Sequence, residues 1–134
     1  MKTDFNTPVV RAVVAASLLL ATATLMTVVV NSARAAGALA IGSCGAFGEA
    51  YDFASVGEAS ASALSKCRGE TCRVVATAKK GCAAFAVDFT NPCGAHGWGR
   101  GARLGGTQNE ALASCYRDGG KECVIRTFFC DGKG

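Results

Sequence analysis

Ala63-Leu64-Ser65-Lys66-Cys67 returns further along the chain as Ala111-Leu112-Ala113-Ser114-Cys115. The segments downstream of the two copies match as well. Cys72-Arg73-Val74-Val75 is answered by Cys123-Val124-Ile125-Arg126, and Cys82 by Cys130, each after a short β-like run. Each copy therefore reads as helix, Cys, short turn, Cys, strand. The pattern predicts an α+β fold: a small disulfide-stapled domain built from a duplicated strand-helix-strand unit, with about two helices packed on a small β-sheet.

Local signals fill in the elements. Ser55-Val56-Gly57-Glu58 and Thr107-Gln108-Asn109-Glu110 are S/T-x-x-E capping boxes, in which each end satisfies an orphan backbone donor. Gly105-Gly106 should stop the second helix from extending upstream, so it is expected to be about a turn shorter than the first. Glycines after each Cys, at Gly69 and at Gly119-Gly120, mark the helix ends. Strands are expected over 73–78 and 82–89, joined as a hairpin by Lys79-Lys80-Gly81, with a last strand over 124–130. On the second of these, Phe85, Val87 and Phe89 face one way. Cys82, Ala84 and Ala86 face the other, where small side chains admit a close helix.

The chain holds 8 Cys, all beyond residue 43. An even number in an exported chain reads as a disulfide framework. Zinc sites favour C-x₂₋₄-C pairs, which only Cys67 and Cys72 approach, and His96 is the sole histidine, so no metal is expected. Eight cysteines allow 105 pairings. The matched segments select Cys67–Cys72 and Cys115–Cys123, each tying a helix end to the next strand. Cys82–Cys130 would then join the two copies, and Cys44–Cys93 remains.

The first 35 residues have a different character. Lys2 and Arg11 precede an apolar run that continues through Val28-Val29-Val30 without a charge, and Ala33-Arg34-Ala35 supplies an A-x-A site. These are the three parts of a secretory signal peptide, with cleavage expected after Ala35. Ala38-Leu39-Ala40 is a second such site. Ile41-Gly42-Ser43-Cys44 has a lipobox look, but the apolar run ends too early for it. An uncleaved leader would be long enough to anchor the chain in a membrane. The expected organisation is a leader over 1–35 and one cysteine-rich exported domain over 36–134, a monomer that is secreted or held in the cell envelope.

Composition narrows function by exclusion. The 134 residues are 50% hydrophobic and 18% charged, too apolar for a disordered tail. They are also too few for a barrel or doubly wound enzyme. Much of the hydrophobicity belongs to the leader. Its removal takes Lys2, Arg11, Arg34 and Asp4 away and lowers the formal net charge from +4 to +2. That is no footprint of a nucleic-acid binder, which carries a clustered basic face.

The ordered set resembles a known family. Ala63-Leu64, Cys67, Cys72, Val74-Val75 and Gly81-Cys82-Ala83-Ala84-Phe85-Ala86-Val87 come first. Gly97-Trp98-Gly99-Arg100-Gly101, Ala111-Leu112, Cys115, Cys123 and Cys130 come after them. Together they are similar to the small exported bacterial domain of unknown function 4189, over residues about 46 to 130. The resemblance implies export and a fold of this kind, and implies no activity. Two departures stand out. The opening strand of the family is here the shortened stretch 44–51, and the pair Cys44 and Cys93 looks like an addition.

Gly94-Ala95-His96-Gly97-Trp98-Gly99-Arg100-Gly101 is the one stretch that reads as a binding surface. His96, Trp98 and Arg100 would suit an anion or a sugar ring. The structural alternative is a glycine-rich strand edge, with Trp98 packed into the core and His96 solvated. Two functional readings are open. One is an exported binding module for a protein or cell-envelope component. The other is a small envelope-polymer hydrolase pairing Asp88 or Glu49 with His96. Glu58 and Glu110 are expected to be caps. The G-x-G-x-G at Gly97–Gly101 lacks the helix and Lys or Ser/Thr of a phosphate loop, so no cofactor is expected. With every Cys paired, no thiol nucleophile remains.

Overall fold

The computed structural model describes residues 35–132; the leader expected over 1–35 lies, but for Ala35, outside them. Among the described residues, six strands and two helices occur in order: β1 (Ala36–Ile41), β2 (Phe47–Phe53), α1 (Val56–Lys66), β3 (Arg73–Lys79), β4 (Gly81–Asp88), β5 (His96–Gly101), α2 (Leu104–Arg117) and β6 (Cys123–Asp131). A 3-10 turn, Ser43–Gly45, links β1 to β2. The strands form two antiparallel three-stranded sheets rather than one, ordered β2-β1-β3 and β5-β4-β6. Two strands, a helix and a strand thus occur in the same order in both halves, with the middle place in each sheet taken by the half's first strand.

The sheets stack face to face, with one helix on each outer face. Leu39, Ile41, Ala76 and Ala78 of the first sheet meet Ala83, Phe85, Val87 and Phe129 of the second. On the outer faces, Ala38, Ala40 and Ala50 receive Ala59 and Ala63 of α1. Ala84 and Ala86 receive Ala111 and Cys115 of α2. The expected alternation on β4 therefore holds, with its small face toward a helix. Phe89 departs from it. It lies past the end of β4 and is mostly exposed.

Among the described residues, most of the buried apolar ones are alanine, and Phe85 and Leu39 are the only large apolar side chains buried completely. At about 25 cal/mol per Å² of apolar surface, such a core contributes little per residue. Four disulfides supplement it: Cys44–Cys93, Cys67–Cys72, Cys82–Cys130 and Cys115–Cys123.

Several local expectations are corrected. Lys79-Lys80-Gly81 is not the turn of a hairpin. β3 pairs with β1 and β4 with β5 and β6, so the turn carries the chain from one sheet to the other, with Lys80 at φ 58°. Cys82–Cys130 accordingly does not join the halves. The two residues are register partners on adjacent strands of the second sheet. The bridge that does span the halves is Cys44–Cys93, from the β1–β2 turn to the β4–β5 connection.

The opening strand is not the shortened stretch 44–51. It is β1, wholly buried at the centre of the first sheet, and it contains the second A-x-A site. Its run of small residues gave no alternation, because both of its faces are covered.

The helices differ too. Ser55 caps α1 as expected, its hydroxyl accepting from the Glu58 N–H at 3.2 Å. Thr107 does not cap α2. That helix begins a turn earlier at Leu104, and at 14 residues it is longer than α1 at 11. Thr107 instead donates to the Arg103 carbonyl at 2.9 Å from inside the helix. Gly105 and Gly106 sit in the first turn of α2 on the open side, where a Cβ on either would meet nothing within 4 Å. Packing of Thr107, Ala111 and Cys115 against β5 decides the helix's extent.

Candidate functional site

β5 is an edge strand, and its period of two sorts its residues. Gly97 and Gly99 are buried against α2, so the helix lies almost on the strand backbone. His96, Trp98 and Arg100 project together from the opposite face, opposite Val87, Phe85 and Ala83 in register. The structure thus brings the three candidate residues onto one ledge. Trp98 retains 37% of its exposure, so it is not packed into the core. The His96 ring stands 6.3 Å from that of Phe85, and its Nδ1 lies 3.4 Å from the Gly94 carbonyl and 3.9 Å from Asp118 Oδ2.

The ledge is rigid because α2 holds the strand's free edge. Asp118 Oδ2 accepts from the His96 N–H and Glu110 Oε2 from the Arg100 N–H, both at 3.1 Å. Glu110 is thus an edge brace, not a helix cap. The two carboxylates occupy donors that an added strand would need, so this edge is shielded from strand addition. An open pocket of about 340 Å³ runs along it, lined by His96, Gly97, Trp98, Ser114, Arg117 and Asp118.

The acids of the hydrolase reading are not brought to His96. Glu49 is on β2, which packs over β6, and it accepts a hydrogen bond from Thr127 Oγ1. β2 and β5 are edges of different sheets, and β5 faces β3. Asp88 is nearer, but its carboxylate is committed. It accepts from the Lys121 N–H at 2.9 Å, the Thr90 hydroxyl at 2.7 Å and the Thr90 N–H at 3.0 Å. The Lys121 amide and the Thr90 hydroxyl lower its pKa to about 2, against an opposing rise from burial. An acid so stabilised as the anion clamps the loops before β5 and β6 and is poorly suited to donate a proton.

A depressed value gives a pH prediction with a definite sign. The Asp88 anion adds stability above the ordinary carboxylate pKa, and that contribution is lost as pH falls from about 4 towards 2. Urea unfolding across this range should find the wild type weakening more steeply than Asp88→Asn. Parallel curves would refute the assignment.

A second site had no signal in the sequence. Lys66 at the end of α1, Arg68 after it and Arg126 on β6 converge on the 3-10 turn with Cys44, Gly45 and Phe47, around an open cleft of about 500 Å³. No acidic side chain lines it. Lys66 Nζ donates to the Glu49 carbonyl at 2.9 Å, and the Arg126 guanidinium sits 5.9 Å from the Phe47 ring centre. Arg126 is far from the other two in the chain, so only folding assembles the group. Among the described residues, no cluster of three metal-ligating side chains occurs, and no helix is long and apolar enough to cross a membrane.

The family model described as Domain of unknown function (DUF4189) matches residues 36–130, the span from the first residue of β1 to the last cysteine. No curated protein and no solved structure matches the chain.

Proposed function

Since this chain belongs to the DUF4189 family of domains of unknown function, which assigns no reaction, we propose from its geometry that it is an exported binding module for a cell-envelope component. Four disulfides in so small a domain fit an oxidising compartment, extracellular or periplasmic.

The observation that carries the reading is the β5 ledge. Trp98 stands half-exposed between a histidine and an arginine, on a strand whose backbone is braced by α2. A flat ring can stack on an indole, while flanking donors take its hydroxyl or carboxylate groups. The ligand class is a glycan of the envelope, bound without chemistry.

Trp98 is the sole tryptophan, so its fluorescence reports on the ledge directly. Titration with soluble cell-wall glycan fragments should shift or quench the emission. His96→Ala should weaken the affinity at least about tenfold, the scale of one lost contact of about 1.4 kcal/mol. Emission unchanged by every fragment would overturn the proposal. So would binding that falls with Arg68→Ala and Arg126→Ala but not with His96→Ala.

A further inference from the structure

Asp131, the last residue of β6, is 1% exposed, and neither carboxylate oxygen has a hydrogen-bond partner among the described residues. A carboxylate in that position costs free energy unless a cation meets it. Its surroundings show where a cation would come from. Phe129, two residues earlier on the same face, lies against Gly37 of β1. Asp131 is the register partner of Gly81, just past the turn that ends β3 at Lys79, and Lys79 pairs with Ala36. Asp52, whose amide points toward the carboxylate from outside bonding geometry, precedes Phe53, the other partner of Ala36. The carboxylate is thus enclosed at the end of the sandwich where β1 begins.

Among the described residues, the charged groups around it do not neutralise it. Asp52 adds a second negative charge from β2. Lys79 and Lys80 are on the neighbouring turn and exposed, and neither forms an ion pair with Asp131. Burial, reinforced by Asp52, raises the Asp131 pKa, with the Asp52 amide opposing in part.

We propose that Asp131 is a receptor for the α-ammonium of Ala36, created when the chain is cleaved between Ala35 and Ala36. Hydrolysis of that peptide bond consumes one water and leaves a carboxylate on Ala35 and an ammonium on Ala36. A neutral amide becomes a cation at the place where a buried anion lacks one. Cleavage precedes folding, since Ala36 is itself buried in the folded domain. In the uncleaved chain no described residue compensates the acid, whereas the processed chain gains an ion pair. The domain is therefore built to be most stable after processing.

N-terminal sequencing of the exported chain should begin at Ala36; a start beyond it would overturn the proposal. The chain beginning at Ala36 contains every strand, helix and bridge of the described fold, and is compared with its Nα-acetylated form. Acetylation should lower the Tm at pH 7 by at least about 10 °C. Asp131→Asn should lower the Tm of the free-amine chain yet raise that of the acetylated chain. The same sign in both would refute the pairing. The unsubstituted chain supplies a second readout that needs no variant to fold. Its α-amine should titrate above the ordinary value of about 8, and an unshifted amine would overturn the proposal.

Discussion

Replacing Cys82 and Cys130 together by alanine is expected to lower the unfolding free energy by about 4 kcal/mol. The bridge closes a span of 48 residues, and the entropy it removes from the unfolded chain grows with that span. It also ties β4, the central strand of the second sheet, to β6 at its edge. An alanine-rich core has little reserve to absorb the loss. For a domain of this size the Tm should fall by roughly 20 °C. The bridges Cys67–Cys72 and Cys115–Cys123 span only 5 and 8 residues, so removing either should cost about 2 kcal/mol. Urea unfolding of the paired variants under non-reducing conditions makes the comparison. A short-span variant that loses as much as the Cys82/Cys130 variant would refute the chain-entropy account.

Gly97→Ala is expected to cost about 3 kcal/mol or more, a large effect for one added methyl. The new Cβ would stand 2.7 Å from the Ser114 carbonyl carbon and closer still to the Ala111 oxygen and the Cys115 nitrogen. These are helix backbone atoms, which cannot rotate away as a side chain would. α2 would have to lift from β5, and Asp118 and Glu110 would lose their hold on the edge amides. The first half has the same arrangement. Gly48 of β2 admits α1, and a Cβ there would lie 2.7 Å from the Cys67 nitrogen. Gly106→Ala is the control. It sits in the first turn of α2 with nothing within 4 Å, and should stabilise the domain by about 0.5–1 kcal/mol. Thermal unfolding of the two variants should move in opposite directions.

The matched segments Ala63–Cys67 and Ala111–Cys115 located both helix ends correctly. Cys67 is the C-cap of α1, and Cys115 faces β4 from the last turns of α2. Equating Cys82 with Cys130 was misleading, because both belong to the second sheet. By place in the fold, Cys44 and Cys93 correspond better. One lies in the β1–β2 turn and the other in the β4–β5 connection. The candidate ledge was legible because His96, Trp98 and Arg100 alternate with glycine, and alternation survives any tertiary arrangement of a strand. Its braces were not legible. Glu110 sits where a capping box would put it, and only the approach of α2 to β5 redirects its carboxylate.

Local chemistry in the sequence determined the α+β class, the two short-span bridges Cys67–Cys72 and Cys115–Cys123, the glycine ledge and the Ser55 cap, because each rests on short-range spacing. Tertiary structure alone decided that there are two sheets and where α2 begins. It also assembled the cleft of Lys66, Arg68 and Arg126, and enclosed Asp131 beside the start of β1. These depend on which apolar faces meet, and alanine-rich strands covered on both sides carry no period that names their partners.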